Sequence, residues 1–485
     1  MSNRMSEKHH SSKMIMDSIH GAIRLYEHEV YVIDHPLFQR LRHVIQNDVL
    51  HLTFMGSTHT RFSHSIGALH VASSMFKQII MNKVIFQEKI CEQFQLSSKQ
   101  NNAIEYLEKC LRLAVLLHDT GHGAFSHQTE KSQVVRAILG EKGCFEKLWE
   151  GKDISSIYPV APTELHHEHY SIRSAYEILH DIEIEQAGIF AMDVLGIMET
   201  TAGITSEKFN SASEEVWSLF TKATTTKSGD AIDRPRNVLN VLRCILSGEF
   251  DADKADYLLR DSMHTGANLG KFDLDSLINS LGASWIPDDD ALRMTINKKG
   301  IGALEDVIFC RFQMYSYVYN HKTTNGMELL LHLAVDEVLS DKSVEDEFRL
   351  FLTDIKQFAY LTDSFFWEKF RAIARKDDKS SSYALINRKK LANLGTFKDL
   401  DDHQIENMRQ SISLETGIDP NEIYSSTHTA RFSKINGDFR DIMIEVINPI
   451  NKSKSYSQIC EVSDFFAKFT DLKSTSFHAK REKLG

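Results

Sequence analysis

Proline is scarce, with seven in 485 residues. That removes the main interrupter of helices and favours long uninterrupted ones. The six cysteines, Cys91, Cys110, Cys144, Cys244, Cys310 and Cys460, are scattered with no Cys-x-x-Cys pair. In a chain this long they read as reduced thiols and a cytoplasmic location. No apolar run approaches the roughly 18–20 residues of a membrane span, so a membrane partner is not expected. Positive charge is not in excess: 56 basic against 67 acidic residues give a net charge of −11. This argues against a general nucleic-acid coat, though not against a local basic site for an anionic small molecule or a basic groove in an oligomer. The N-terminal "MSNRMSEKHHSSKM" lacks an apolar signal core, and residues 1–12 read as a flexible tail. Internal repeats and low-complexity segments are also missing. What remains is a chain 42% hydrophobic, long enough for a large core and more than one domain.

The dominant pattern is helical. "IEYLEKCLRLAVLLHD" sets Ile104, Leu107, Leu111, Val115 and His118 three or four residues apart, one face of a helix. Ile66, Leu69, Ser73, Phe76 and Ile80 repeat the pattern, with Ser73 the polar member. "RNVLNVLRCILSG" and the stretch from Gly302 to Asp341 also read as helix. Residues 143–165 and 203–232 carry polar, Gly, Ser and Thr clusters and read as loops. After about residue 375 the character changes. "ARKDDKSSSYAL" reads as a linker, "DIMIEVINPI" as a strand ended by Asn-Pro, and "YSQICEVSDFFAKF" as a strand and then a helix. The expected fold is mainly α: a helical core over residues 13–375 and a smaller C-terminal α+β portion over 385–485.

Chemistry concentrates in "LLHDTGHGAFSH", residues 116–127, with His118, Asp119, His122 and His127. His118 continues an apolar stripe and should point inward. A lone histidine there is usually a satisfied core residue. An adjacent carboxylate changes the balance, because burying both costs several kcal/mol unless something compensates. A divalent metal bound by both would compensate, and imidazole with carboxylate suits Fe, Mn, Ni or Zn. Further candidates are His64 in "HTRFSHSIG" and Asp253 in "EFDADKADYLLRD". Asp253, Tyr257 and Asp261 are spaced i, i+4, i+8 and share a helix face, with Lys254 and Arg260 beside them. The competing reading of that segment is an exposed, salt-bridged helix.

The words "MDSIHGAIRL", "FQRLRHVIQ", "TRFSHSIG", "LLHDTGHGAFSH", "DADKADYLLRD" and "YVYNHK" come in that order. Together with the order H…HD…D they resemble the HD-superfamily deoxynucleoside triphosphate triphosphohydrolases of the SAM-and-HD-domain type. The resemblance covers roughly residues 13–330 and continues more faintly near residue 445. No segment reads as a SAM domain, so the chain looks like an HD-domain helical core without that module. The family cuts a dNTP between the 5′ oxygen and the α-phosphate, releasing deoxynucleoside and inorganic triphosphate.

Carried over by that resemblance, His64, His118, Asp119 and Asp253 hold the metal. His127 serves the leaving oxygen, oriented by Glu130, and His122 and His167 lie near the α-phosphate with Glu168 beside His167. His166 and His169 are bystanders. Arg61, Lys254 and Arg311 hold phosphates, and three cations suit a triphosphate. Magnesium on the phosphates is a further expectation. Tyr257 flanks the sugar, Asp261 accepts from the 3′-hydroxyl, Gln46 contacts the sugar, and Tyr319 packs where it can exclude a 2′-hydroxyl. Tyr315, in register with Arg311 and Tyr319, reads as core packing. Asn47 and Asn320 stand where members of that family have a leucine and a glutamine, so base preference does not transfer. Lys13, Asp34, Gln39 and Arg42 match residues that read a GTP or dGTP activator in tetrameric relatives, although an amphipathic helix with an exposed arginine face explains "FQRLRHV" equally well. Met16 stands where those relatives have asparagine. A homo-oligomer, with a tetramer favoured, follows from the same resemblance. Two other readings stay open: an HD nucleotidase or phosphodiesterase acting on another nucleotide, and a catalytically silent nucleotide sensor or nucleic-acid-binding regulator.

Overall fold

The low proline content is realised as long helices, which a computed structural model describes together with three small sheets for residues 12–90, 95–141, 143–180, 184, 187–200, 205–430, 442–448, 450, 454–468 and 472–483. The N-terminal tail therefore lies, up to residue 11, outside the described residues. The helices that matter here are α1 (Arg61–Ile90), α2 (Ser98–Leu117), α3 (His167–Leu179), α4 (Glu207–Phe220), α5 (Arg234–Ser247), α6 (Ala252–Thr265), α7 (Ile301–Met314), α8 (Lys322–Leu339), α9 (Asp363–Ala374), α10 (Ser381–Ile386) and α11 (Asp402–Thr416). Their ends follow local chemistry. Ser97 and Gln100 form a capping box at the start of α2, Asp251 caps α6 by accepting from the Lys254 N–H, and Gly266 ends α6 at φ +72°.

Helices α1, α2, α4 and α6 pack around one large core that includes Leu69, Leu111, Val115 and Leu258. Both predicted stripes face it. Ser73 is buried too, its hydroxyl donating to Glu108 at 2.6 Å. Strands β1 (Ser12–Asp17) and β2 (Gly21–Tyr26) form an antiparallel hairpin. A four-stranded sheet runs β3 (Leu281–Ile286), β4 (Ala291–Asn297), β7 (Ile442–Ile447), β8 (Lys454–Gln458), with β4 and β7 parallel. The strands β5 (Ala392–Lys398), β9 (Leu472–Ala479) and β6 (Tyr424–Ala430) form an antiparallel sheet. Helix α11 joins it in a second small core built on Ile412, Ile418, Ile423 and Phe477. The expected class, mainly α with a small C-terminal α+β portion, is the observed one.

Three local expectations are corrected. The stretch 203–232 is not all loop: α4 buries Phe209, Ala212, Val216, Trp217 and Leu219, a helical stripe hidden by its polar flanks. The helix expected from Gly302 to Asp341 is broken, by a π-helical turn at Tyr315–Tyr319 and by His321, whose imidazole caps α8. "ARKDDKSSSYAL" is not a free linker. It contains α10, which buries Leu385 and whose Ser381 and Ser382 N–H groups donate to Glu337 of α8.

Candidate active site

Helix α2 carries the apolar stripe to Leu117, and His118 follows as its last cap. The ring is fixed by its own helix, with Nδ1 2.6 Å from the Val115 carbonyl. His64, one turn into α1, is fixed by a carboxylate: Nδ1 lies 2.8 Å from Asp256 Oδ2. These contacts place a proton on each Nδ1 and leave each Nε2 as a lone pair, and both Nε2 atoms are buried without a hydrogen-bond partner.

The orphaned nitrogens face two acids. Asp253 Oδ1 is 3.0 Å from His64 Nε2 and 3.7 Å from His118 Nε2. Asp119 Oδ2 is 3.6 Å from His64 Nε2, and Asp119 Oδ1 is 3.4 Å from His118 Nε2. The predicted quartet therefore meets at one point. Two buried imidazole lone pairs aimed at two carboxylates repel unless a proton or a cation stands between them. Without a cation, burial disfavours charge on His64, yet the neighbouring carboxylates of Asp253 and Asp256 push it up to about 10. His118 is also raised against burial, by Asp119 and Asp253. A divalent cation satisfies the same donors without protonating them, so the residues present fit a metal.

Asp256, absent from the sequence reading as a site residue, has a role here. It accepts from Arg260 Nε and Nη2, both at 2.8 Å, and lies 2.7 Å from His20 Nε2. Arg260 in turn donates to Asp17 at the end of β1. Arg260 is wholly buried, so the exposed salt-bridged helix is ruled out for α6. The sequence signal was available: an Asp–Arg pair, i, i+4, inside "DADKADYLLRD".

A cleft of about 580 Å³ opens beside the quartet, within the size range of small-molecule sites. Gln46, Arg61, His122, His127, His167, Glu168, Tyr257, Asp261 and Tyr319 line it, as the sequence reading requires. Arg61 donates to Asp119 at 2.6 Å and to Ser126 Oγ at 2.7 Å. Asp261 accepts from Tyr319 at 2.5 Å and pairs with His59 at 2.6 Å, and His59 was missed. Tyr315 lines the cleft as well, which corrects its assignment to core packing.

Three placements differ from expectation. Lys254 is turned from the cleft, its ammonium donating to the Gly248 carbonyl at 2.8 Å and to Asp251. Arg311 lies behind Tyr315, 5.4 Å from its ring centre, and is not in the cleft wall. Glu130 sits 3.5 Å from His167 Nδ1 rather than against His127, and Glu168 lies 3.3 Å from the same nitrogen. The turn of chain after His122 carries the acid past His127 to the next imidazole. His127 instead meets rings, His122 at 4.4 Å and His167 at 4.7 Å between centres.

His122, His127 and His167 bring their nitrogens close enough to hold an ion of their own. Burial, followed by repulsion from Arg61 and His167, holds His122 well below the usual imidazole range. Burial, His167 and Arg61 do the same for His127. Burial works against Asp119 ionising, but Arg61, His118 and His122 hold its carboxyl well below the carboxylate range.

The four residues of the expected activator site lie near the β1–β2 hairpin. Lys13 Nζ is 4.0 Å from Asp34, both mostly exposed. Arg42 donates to Gln39 at 2.9 Å and lies 3.5 Å over the Phe62 ring, while Gln39 reaches back to the Ile33 carbonyl. Met16 is 77% exposed. Among the described residues no helix is long and apolar enough to cross a membrane.

A helical core with this quartet at the mouth of a cleft is similar to proteins of the HD-domain phosphohydrolase type. The particular similarity is to deoxynucleoside triphosphate triphosphohydrolases. The chain is 25% identical over 452 residues to the enzyme of that name, SAMHD1, from Bos taurus, matching 90% of this chain and 66% of that one. It is 26% identical to the Homo sapiens protein over 73% of this chain and 50% of that one. An uncharacterized protein of Methanocaldococcus jannaschii is 26% identical over 84% of this chain and 68% of its own length. The chain thus spans about half to two thirds of these relatives. Residues 272–430 match the family described as "HD associated region". Among solved structures, a phosphohydrolase from Bacteroides thetaiotaomicron shares the fold, with a TM-score of 0.63 at 21% identity over 97% of this chain and all of that one. A hypothetical protein from Aquifex aeolicus does so equally, with a TM-score of 0.63 over 98% of each chain.

Proposed function

We propose that the protein hydrolyses deoxynucleoside triphosphates to deoxynucleoside and inorganic triphosphate. The observation that carries this reading is the pair of orphaned Nε2 atoms on His64 and His118, aimed at Asp119 and Asp253 beside a cleft lined by four further histidines and by tyrosines. His64, His118, Asp119 and Asp253 would hold a divalent first-row metal, which supplies an acidified water and withdraws charge from a phosphate oxygen. Arg61, already at the mouth of this quartet, neutralises phosphate charge. His127 supplies the proton to the departing 5′ oxygen. In the free protein its imidazole is neutral, and the arriving triphosphate brings the negative charge that favours its protonation. His167, backed by Glu130 and Glu168, passes a proton toward His127, and His122 faces the α-phosphate. Tyr319, held by Asp261, packs against C2′ and leaves no room for a ribose hydroxyl. Lys254 serves the phosphates only after releasing Asp251.

The test is to incubate the purified protein with Mn²⁺, Fe²⁺, Ni²⁺ or Zn²⁺, with and without Mg²⁺, and each dNTP and NTP, and to identify products by ³¹P NMR. Triphosphate plus deoxynucleoside is the expected result. Monophosphate plus pyrophosphate would refute the bond choice. Asp119→Asn should lose both bound metal and turnover while keeping its circular dichroism spectrum.

The proposal extends to control. Lys13, Asp34, Gln39 and Arg42 form a guanine-nucleotide site on a homo-oligomer, a tetramer in the favoured reading. Initial rates rise with GTP in the wild-type protein and do not in Arg42→Ala. Equal rates in all conditions contradict the activator site.

A further inference from the structure

One part of the cleft has no use in the mechanism above. Asp48 and Glu328 line it, 8% and 7% exposed. Helix α8 presents Thr324, Glu328, His332 and Asp336 at successive turns along one face. The latter two fix what that face meets: His332 pairs with Gln128 at 3.0 Å, and Asp336 accepts from Ser132 at 2.6 Å. Glu328 therefore looks toward the segment that carries His127. Asp48 reaches the same place from the opposite side, in the left-handed region at φ +40°, with Gln128 bonded to its carboxylate. Asp is among the few residues that tolerate such a backbone.

Glu328 is poorly compensated. Among the described residues Glu328 makes no hydrogen bond and no ion pair. Around the two acids Asn47 Nδ2 and Thr324 Oγ1 are also buried without partners. A buried polar group left unmade costs free energy that a ligand can return. Burial and then the charge of Asp48 hold Glu328 well above the carboxylate range, with Lys131 opposing. Burial likewise lifts Asp48 to about 6, against its bond from Val49 and the charge of Lys131. At neutral pH the pair thus keeps a charge on Asp48 and offers more acceptors than donors. Phosphate is repelled here and belongs on the Arg61 side. The part of a nucleotide that suits acceptors is a base edge rich in N–H.

We infer that Asp48 and Glu328 read the nucleobase, and that they favour bases carrying an exocyclic amino group over thymine. The inference rests on the reading of the cleft as a dNTP site. Guanine, adenine and cytosine each offer an NH₂ to a carboxylate. Thymine offers one N3–H between two carbonyls, whose lone pairs face the acids.

The experiment is kcat/KM for dGTP, dATP, dCTP, dTTP and dUTP on the metal-loaded protein, with Glu328→Gln and Asp48→Asn alongside. The expected result is that dTTP falls about tenfold or more below each amino-bearing substrate. An amide can donate to a carbonyl, so Glu328→Gln should narrow that gap, through KM more than kcat. The comparison of dUTP with dTTP needs no variant: both carry the same carbonyls, so dUTP must be as poor. Rapid dUTP turnover would mean that the methyl group is what is rejected, and would overturn the inference. So would dTTP turnover within about twofold of the others, or an unchanged preference in both variants. No turnover of any dNTP instead overturns the function itself, and this inference with it.

Discussion

The imidazole of His64 is aimed at the candidate metal position by groups on its far side. Asp256 selects the tautomer, Arg260 and His20 hold Asp256, and Asp17 holds Arg260. Outer partners of this kind commonly set metal affinity within a factor of about 10–100. Asp256→Asn should therefore weaken metal binding by about that factor, measured by competition with a chelator. Unchanged affinity would show that Asp256 only fills space. At this scale the sequence was informative where the residue type was itself the chemistry. His64, His118, Asp119 and Asp253 stood out because imidazole and carboxylate are the donor types a divalent metal takes, and the structure brings the four together. Asp256 and His59 were not, because a residue that holds a ligand leaves only a charge or a ring among others. Glu130 shows the same limit: its proximity to His127 in sequence said nothing of which imidazole the turn would bring to it.

At the level of elements, the segment after α2 turns by a different device from the one its glycines suggest. Phe125 and Ser126 take the left-handed conformation, each at φ +54°, while neither Gly121 nor Gly123 does. Gly121 is needed for closeness instead. A Cβ there would stand 2.0 Å from the His167 carbonyl oxygen and 2.1 Å from the Ser171 nitrogen. The backbone of the HD segment thus lies directly on α3, which carries His167. Gly121→Ala should push α3 away and cost several kcal/mol, of the order of overpacking in a core, about 1–3 kcal/mol or more. Urea denaturation measures the cost, and a midpoint equal to wild type would contradict the contact. Gly123→Ala meets only Leu361 at 3.7 Å and should be mild. Periodicity found α1, α2 and α5 because their stripes are long and largely apolar, and α6 through the i, i+4, i+8 spacing of Asp253, Tyr257 and Asp261. It missed α4 and α10 because serine, threonine and charge dominate their sequences while a few apolar residues anchor them.

Across the whole molecule, neutral buried histidines make stability depend on pH. Burial and the charge of Lys131 lower His332 to about 3 and His428 to about 4, and burial lowers His478 to about 4. In the unfolded chain each has the ordinary imidazole affinity, near 6.5. The unfolded state therefore binds more protons as pH falls below that value, and stability present above about pH 6.5 is lost toward pH 4. Each group adds a slope of up to about 1.4 kcal/mol per pH unit in that window. The melting temperature should fall steadily from pH 6.5 to 4, and His478→Gln should flatten the decline. A parallel pair of curves would exclude that residue as a source. The C-terminal strands illustrate what sequence order conceals: "DIMIEVINPI" reads as β, but nothing in it announces β4 as its neighbour.

That pairing has a consequence for biosynthesis. The parallel strands β4 and β7 join Met294 to Ile442, and β8 completes the sheet only at Gln458. On the ribosome, α1, α2 and α6 are already made, with all four residues of the candidate metal site present, while the edge of β4 still lacks its partner. The nascent chain thus carries an open strand edge until residues 442–447 emerge, and contacts this distant in sequence close slowly. Chains stalled before residue 442 should expose that edge to aggregation even though His64, His118, Asp119 and Asp253 are all present.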